Sequence, residues 1–276
     1  MNRYYFVFLL ILSTSCGQKR EGKADSESRA FSAERETFFN SLKNREDVAL
    51  LVRGLTGFNA TLLSDTRNYY LYATSEVMAA ANLGIYMADL NYCILFKESD
   101  AAKKYFEAIY KLSEIIQVEK ATVEFLIKRY EENLAQQDSI KLIVQQLLAE
   151  STLGLQGTER ERLAGIAMAG YQIENLYLAL STLESFPEKL AEQQIQSRDL
   201  LLNYILDQRG RFEIVYNFIR ANSDPLDPDR NPNYPFFDNA LRELIVVYNT
   251  ITENDPQINE LAEKVRAIRN KIISTE

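Results

Sequence analysis

Apolar residues occupy nearly every helical position in two long stretches of the chain, residues 66–97 and 159–186. A helix that is apolar all round is usually buried all round. Both stretches are rich in small residues, which let a second helix approach closely: Ala79, Ala80, Ala81, Gly84 and Ala88 in the first, and Ala164, Gly165, Ala167, Ala169 and Gly170 in the second. We therefore predict two central helices that pack through their small faces.

Shorter segments on either side of these stretches carry apolar residues at steps of three and four, which is typical of helices with one buried face. Strict alternation of apolar and polar residues, the mark of a half-buried strand, occurs nowhere in the chain. The pattern predicts an all-α fold in which amphipathic helices cover the central pair in a single bundle. The predicted covering helices are 32–42, 47–55, 99–116, 119–134, 138–148, 188–208, 212–221, 238–253 and 257–274.

The first sixteen residues resemble the signal of a bacterial lipoprotein. Arg3 is followed by nine apolar residues, Tyr4 to Leu12, and then by small residues that lead to Cys16. Nine apolar residues are too few to span a bilayer but suit the core of a signal peptide. Ser13 departs from the lipobox pattern, in which Leu or Val is usual there. An ordinary secretory signal with a chance cysteine is the alternative.

The segment after Cys16 is polar, charged and free of large apolar residues, as expected of a flexible tether. We therefore divide the chain into a signal peptide (1–15), a lipidated cysteine with its tether (16–30) and a helical domain (31–276). Gly17 carries no obvious signal for retention in the inner membrane. The expected location is the outer membrane, through acyl chains on Cys16 such as palmitate, with the domain facing the periplasm. The inner membrane and the cell surface stay open as alternatives.

Composition excludes several chemistries. The net charge is −8 and histidine is absent. An acidic, evenly mixed chain argues against nucleic acid as a partner, and the lack of histidine removes Ser-His-Asp and Cys-His sites as well as His-ligated zinc. We predict no cofactor, no metal and no assigned catalytic residue.

Asp89 and Glu174 are the strongest candidate site residues, because each lies in a stretch that is otherwise apolar. An isolated buried carboxylate is costly, so each is expected to be paired or to have a raised pKa. One interpretation is a polar pocket between the central helices; the other is a structural hydrogen-bond network that sets helix register. The predicted pocket residues are Tyr86, Asp89, Asn91, Glu174, Asn175 and Tyr177.

Two further features of the sequence resemble functional sites, a candidate calcium loop and a cysteine. Residues 223–237 contain four of the six prolines, and Asp227, Asp229 and Asn231 within them match the start of a calcium loop. Pro232 stands where such a loop needs glycine, so we predict an irregular loop without metal. Cys93 has no histidine to activate it, and we expect a buried structural thiol.

The segment NLGIYMADLNY, residues 82–92, resembles a motif of uncharacterised, all-helical bacterial lipoproteins of about this length. The matching residues are Asn82, Leu83, Gly84, Tyr86, Ala88, Asp89, Leu90 and Tyr92. Met87 departs from the motif, which has glycine there. A second feature of that family resembles Gly170, Ile173, Glu174, Leu176 and Tyr177. The resemblance would cover residues 35–276, and it implies a fold and a location but no activity.

These observations predict a lipoprotein anchored in a membrane that binds a partner protein of the envelope or a small ligand. An enzyme that uses Asp89 and Glu174 as general acid and base is the first alternative, and it requires both groups to face one cavity open to solvent. A purely structural component of the envelope is the second.

Overall fold

The computed structural model describes residues 32–42, 48–118, 120–132, 146, 149–158, 160–187, 189–222, 234–251 and 257–274. The predicted signal peptide, Cys16 and the tether lie outside the described residues. Asp227, Asp229 and Asn231 of the proline-rich loop also lie outside them.

The fold is all-α, as the apolar periodicity predicts, and the described residues contain no strand. Two 3₁₀ helices, Ala60–Leu62 and Thr66–Thr74, lie between α2 and α3. None of the helices in the described part of the chain combines the length and hydropathy needed to cross a bilayer. The α-helices are α1 (32–41), α2 (Val48–Leu55), α3 (Glu76–Leu95), α4 (Ser99–Ile115), α5 (Lys120–Glu132), α6 (149–153), α7 (Glu161–Glu184), α8 (Glu192–Ala221), α9 (Tyr234–Tyr248) and α10 (Gln257–Ile273).

The two predicted central helices, α3 and α7, cross in the middle of the core with their backbones in contact. A Cβ atom at Gly84 would overlap the backbone of Ala167, and a Cβ atom at Gly170 would overlap the backbone of Ala81. Only glycine fits at either position, because the atoms in the way belong to backbone rather than to flexible side chains. The prediction that small residues bring these helices together is confirmed.

The other helices pack around this pair. α4 lies against α3, α8 lies against α7, and α10 contacts α7, α3 and α9. α2 contacts α7 and α8. Both α3 and α7 are therefore covered by amphipathic helices, as the sequence pattern predicts.

Three predicted helix boundaries are wrong. α9 begins at Tyr234, inside the segment 223–237 that the sequence predicts to be an irregular loop. The first apolar stretch is not one helix over 66–97, because Thr66–Thr74 is a 3₁₀ helix and α3 begins only at Glu76. Ser75 separates them in an extended conformation, and its hydroxyl accepts a hydrogen bond from the Met78 amide as an N-cap. In contrast, α8 runs through Gly210 without a break, although the sequence predicts two helices there.

Residues 56–65, here called the strap, join α2 to the second 3₁₀ helix and are irregular apart from the short 3₁₀ helix Ala60–Leu62. An irregular segment has few backbone hydrogen bonds of its own, so its buried amides and carbonyls need partners elsewhere. Side chains from α3, α4 and α10 supply those partners, and they include the candidate site residues.

Candidate functional site

Asp89 on α3 and Glu174 on α7 lie together in the core, and Arg269 on α10 lies with them. Arg269 binds Glu174 through two parallel hydrogen bonds, Nε to Oε2 at 2.6 Å and Nη2 to Oε1 at 2.8 Å. Asp89 and Glu174 are each 0% exposed, and Arg269 is 5% exposed. The cluster therefore contains two acids and one cation with almost no access to water.

Arg269 has further contacts that make it the centre of this cluster. Its Nη2 donates to the Leu62 carbonyl at 2.9 Å and contacts the Ser64 hydroxyl at 3.1 Å. Its guanidinium lies over the ring of Tyr177, 4.1 Å from the centroid, which is a favourable cation–π distance. A single side chain of α10 thus joins the strap to α7.

Sequence reasoning missed Arg269 as a site residue, although a signal was present. The buried positions of α10 are Leu261, Ala262, Val265, Ile268, Arg269 and Ile272. Arg269 lies four residues after Val265 and seven after Ala262, so it belongs to the apolar face of the helix. A cation on that face must be paired with an acid, and a buried acid on another helix was already predicted.

Asp89 binds the strap directly, since its Oδ2 accepts a hydrogen bond from the Ser64 amide at 3.0 Å. Its other oxygen, Oδ1, is buried and finds no donor among the described residues. Burial and then the nearby charge of Glu174 raise the pKa of Asp89 well above its ordinary value, and Arg269 only partly opposes them.

Three tyrosine hydroxyls complete the attachment of the strap. Tyr86 donates to the Asp65 carbonyl at 2.8 Å, and Tyr105 of α4 donates to the Ser64 carbonyl at 2.6 Å. Tyr92 accepts a hydrogen bond from the Asn59 amide at 3.1 Å. Three polar residues of the 82–92 motif, Tyr86, Asp89 and Tyr92, therefore bind the backbone of the strap.

The predicted pocket residues do not line one open pocket. Asp89, Glu174 and Tyr177 come together around Arg269, whereas Tyr86 faces the Asp65 carbonyl. The other two predicted residues, Asn91 and Asn175, are buried, and Asn175 donates to the Tyr171 carbonyl of its own helix at 2.7 Å. Both carboxyls are fully buried, so neither faces the solvent-open cavity that acid–base catalysis requires.

An open groove lies on the other side of the strap. It has a volume of about 1460 Å³, and its described lining comes from the strap, the second 3₁₀ helix, α4 and α5. The floor consists of buried residues, among them Tyr105, Phe106, Ala108 and Tyr130. Half-buried apolar side chains form its walls: Phe58, Leu63, Tyr69, Tyr110 and Ile127. Volumes of 300–1,000 Å³ are usual for small-molecule sites, so this groove is large.

The rim of the groove is charged. Lys103 and Lys104 of α4 line this rim and are exposed. Asp65 is neutralised by Arg67, which binds it at 2.7 Å. Asp100 and Glu107 of α4 also line the groove and are exposed. The groove thus combines aromatic walls with a rim of mixed charge.

The remaining candidates behave as structural residues where the structure describes them. Cys93 is fully buried, and burial raises the pKa of its thiol, which opposes a nucleophilic thiolate. Within the described ranges, no group of three acids, cysteines or histidines is placed to hold a metal ion. Phe237, from the end of the proline-rich segment, is buried in the core at the start of α9.

No family model, curated protein or solved structure matches the chain. The resemblance to helical bacterial lipoproteins therefore stays a prediction that rests on the motif residues alone.

Proposed function

We propose that the chain is a lipoprotein of the bacterial envelope, anchored through Cys16, whose helical domain binds a partner protein or a small ligand in the groove between the strap and α4. The groove is the observation that supports binding, because it is large, lined by aromatic residues and open to solvent. The two buried acids, in contrast, have no access to solvent. The signal pattern that ends at Cys16 supports the anchor. The periplasmic side of the outer membrane is the proposed location.

The position of the acids favours a binding function over an acid–base enzyme. Asp89 and Glu174 are both 0% exposed, and their hydrogen bonds run to the strap and to Arg269. A general acid or base must reach the proton of a substrate directly or through one water. The buried carboxyls instead hold the strap, and the strap forms one wall of the groove.

The anchor is tested by feeding bacteria that express the chain an alkyne-bearing palmitate analogue and then fractionating their membranes. The wild-type chain is expected to carry the label and to sediment with the outer membrane. A Cys16→Ala variant should lose both the label and the membrane association. A wild-type chain without label contradicts the proposed anchor whatever its fraction.

The groove is tested with a photo-crosslinking amino acid placed at single positions in living cells. Tyr69 lies in the groove wall and Lys104 on its rim, and a crosslinker at either is expected to give one adduct of defined mass. Val246 of α9 is the matched control, since it is 57% exposed and does not line the groove. Equal adducts at all three positions, or none at Tyr69 and Lys104, would contradict binding in the groove.

A further inference from the structure

We propose that Asp89 is a proton-binding site of the folded protein: its carboxyl stays protonated at neutral pH, donates a hydrogen bond through that proton to Glu174, and so holds the strap on the core. The inference goes beyond binding in the groove, because it concerns how the wall of the groove is held. It rests on the number and placement of the charged groups in the buried cluster.

The first step is a charge count. The cluster holds Asp89, Glu174 and Arg269, and no exposed surface lets water screen them, since the exposed fractions are 0%, 0% and 5%. Arg269 uses Nε and Nη2 on the Glu174 carboxylate, which balances one negative charge with one positive charge. A second carboxylate beside them would be a buried charge without a counter-ion, which is strongly unfavourable.

The second step is a hydrogen-bond count. Oδ2 of Asp89 accepts from the Ser64 amide, whereas the buried Oδ1 has no donor among the described residues. Glu174 lies beside Asp89, and its negative charge acts on the Asp89 carboxyl. Two ionised carboxylates only accept hydrogen bonds, so neither can donate to the other. A proton on Asp89 supplies the missing donor and satisfies Oδ1 at the same time.

The groups that act on Asp89 come from α7, α10, α4, the strap and α3 itself. Glu174 of α7 and Arg269 of α10 are the charged ones, and the strap contributes the Ser64 amide. The nearby titratable groups are Tyr105 of α4 and, on α3 itself, Tyr86, Tyr92 and Cys93. Burial raises the pKa of each of these four groups, so they stay neutral at pH 7. Phenols and thiols have no cationic form, so none of them can balance the charge of a second carboxylate.

The proton therefore stabilises the folded state. Unfolded Asp89 ionises near its ordinary pKa of 3.8, whereas the folded carboxyl, whose pKa is raised, keeps its proton to higher pH. Folding then takes up a proton between those two pKa values, and stability falls as pH rises through that window. One proton corresponds to a tenfold change in the folding equilibrium constant per pH unit. Any effect on the groove rests on the function proposed above.

The test compares urea unfolding of the full chain in mild detergent with that of Asp89→Asn from pH 5 to pH 9. The asparagine can accept from Ser64 and donate to Glu174, so it reproduces the protonated acid but cannot ionise. We expect the wild-type folding equilibrium constant, divided by that of Asp89→Asn, to fall about tenfold per pH unit in the lower part of this range. Asp199→Asn, at an exposed position of α8, is the control and should give a ratio independent of pH.

A ratio for Asp89→Asn that does not change between pH 5 and pH 9 would mean that Asp89 is ionised throughout, and would overturn the inference. No ligand enters this experiment, so its failure is distinct from a failure of the groove crosslinks. A second measurement needs no variant. Infrared spectra of the wild-type chain, with aspartate labelled with ¹³C at its side-chain carboxyl, should contain a carboxylic-acid C=O band at pH 7. Absence of that band would also overturn the inference.

Discussion

Arg269 shows how one residue can decide the arrangement of a core. It is a cation on the apolar face of α10, and it reaches both Glu174 and the carbonyl of Leu62. A buried ion pair adds little net stability compared with apolar residues, but removing one partner leaves the other uncompensated. The cluster is therefore more sensitive to single changes than to combined ones.

We expect Arg269→Leu to lower the free energy of unfolding by about 3–5 kcal/mol, because Glu174 would be left as a buried carboxylate without its partner. Arg266, three residues earlier on the same helix, pairs with Glu184 on the surface, and its side chain is 42% exposed. Arg266→Ala should cost only about 0–1 kcal/mol. Urea denaturation checks both values. Arg269→Leu combined with Glu174→Gln should recover part of the loss, and no recovery would contradict an uncompensated charge as the cause.

A second prediction at this scale concerns the hydroxyl of Tyr105, which donates to the buried Ser64 carbonyl at 2.6 Å. Tyr105→Phe should cost about 1–3 kcal/mol, because it leaves that carbonyl unsatisfied. It should also speed hydrogen exchange in the strap more than elsewhere. Tyr110→Phe is the control. Tyr110 is also on α4, but its hydroxyl donates to the Glu124 carboxylate of α5 at an exposed site. Equal effects of the two changes would contradict the role assigned to Tyr105.

At the scale of elements, the crossing of α3 and α7 depends on glycine at particular positions. Gly84 meets the backbone of Ala167, and Gly170 meets the backbone of Ala81, so the two contacts are reciprocal. Gly210 of α8 has open space around its Cβ position. Glycine is therefore required for packing at Gly84 and Gly170, whereas a larger residue fits at Gly210.

Gly84→Ala is expected to destabilise the protein by about 1–3 kcal/mol or more, since the added methyl group must push two backbones apart. Gly210→Ala should stabilise it by about 0.4–1 kcal/mol, because alanine restricts the unfolded chain and fits the helix. Thermal unfolding of both variants beside the wild type measures the difference in sign. Destabilisation by both changes to the same extent would contradict the assigned packing.

The sequence pattern located most elements correctly but placed three of their boundaries wrongly, including the start of α9 at Tyr234. Thr66–Thr74 reads as the start of α3 because it lacks proline and glycine, yet it forms a 3₁₀ helix. The Asp65 side chain caps the N-terminus of the 3₁₀ helix, and the Ser75 side chain caps the N-terminus of α3 directly after the 3₁₀ helix ends. The sequence predicts that a helix ends near Gly210, but packing of α8 on α7 and α9 outweighs the low helix propensity of glycine.

For the whole molecule, the buried phenols and the buried thiol make stability depend on pH. Burial raises the pKa of a set of tyrosines above its ordinary value of 10.0 and that of Cys93 above 9.0. The tyrosines are Tyr72, Tyr86, Tyr92, Tyr105, Tyr130 and Tyr248. Each such group holds its proton in the folded state after the unfolded chain has lost it, so stability is fully present below the unfolded pKa and is lost above it.

The free energy of unfolding should therefore fall steeply above about pH 9–10, by up to ~1.4 kcal/mol per pH unit for each group involved. Guanidinium denaturation at pH 8, 9, 10 and 11 measures this slope, and Tyr248→Phe should make it shallower. A slope that Tyr248→Phe leaves unchanged would mean that Tyr248 ionises equally in both states.

The sequence alone determined the fold class, the central pair of helices and the burial of Asp89 and Glu174. Those properties follow from local periodicity and from the size of side chains, which neighbouring residues in the chain reveal. The tertiary structure decided that Arg269 binds Glu174 and the strap, that Tyr86, Asp89 and Tyr92 hold the strap, and that the open groove lies beside α4. These contacts join residues up to 207 positions apart. No local pattern encodes such a pairing, because it depends on how separate helices are placed against one another.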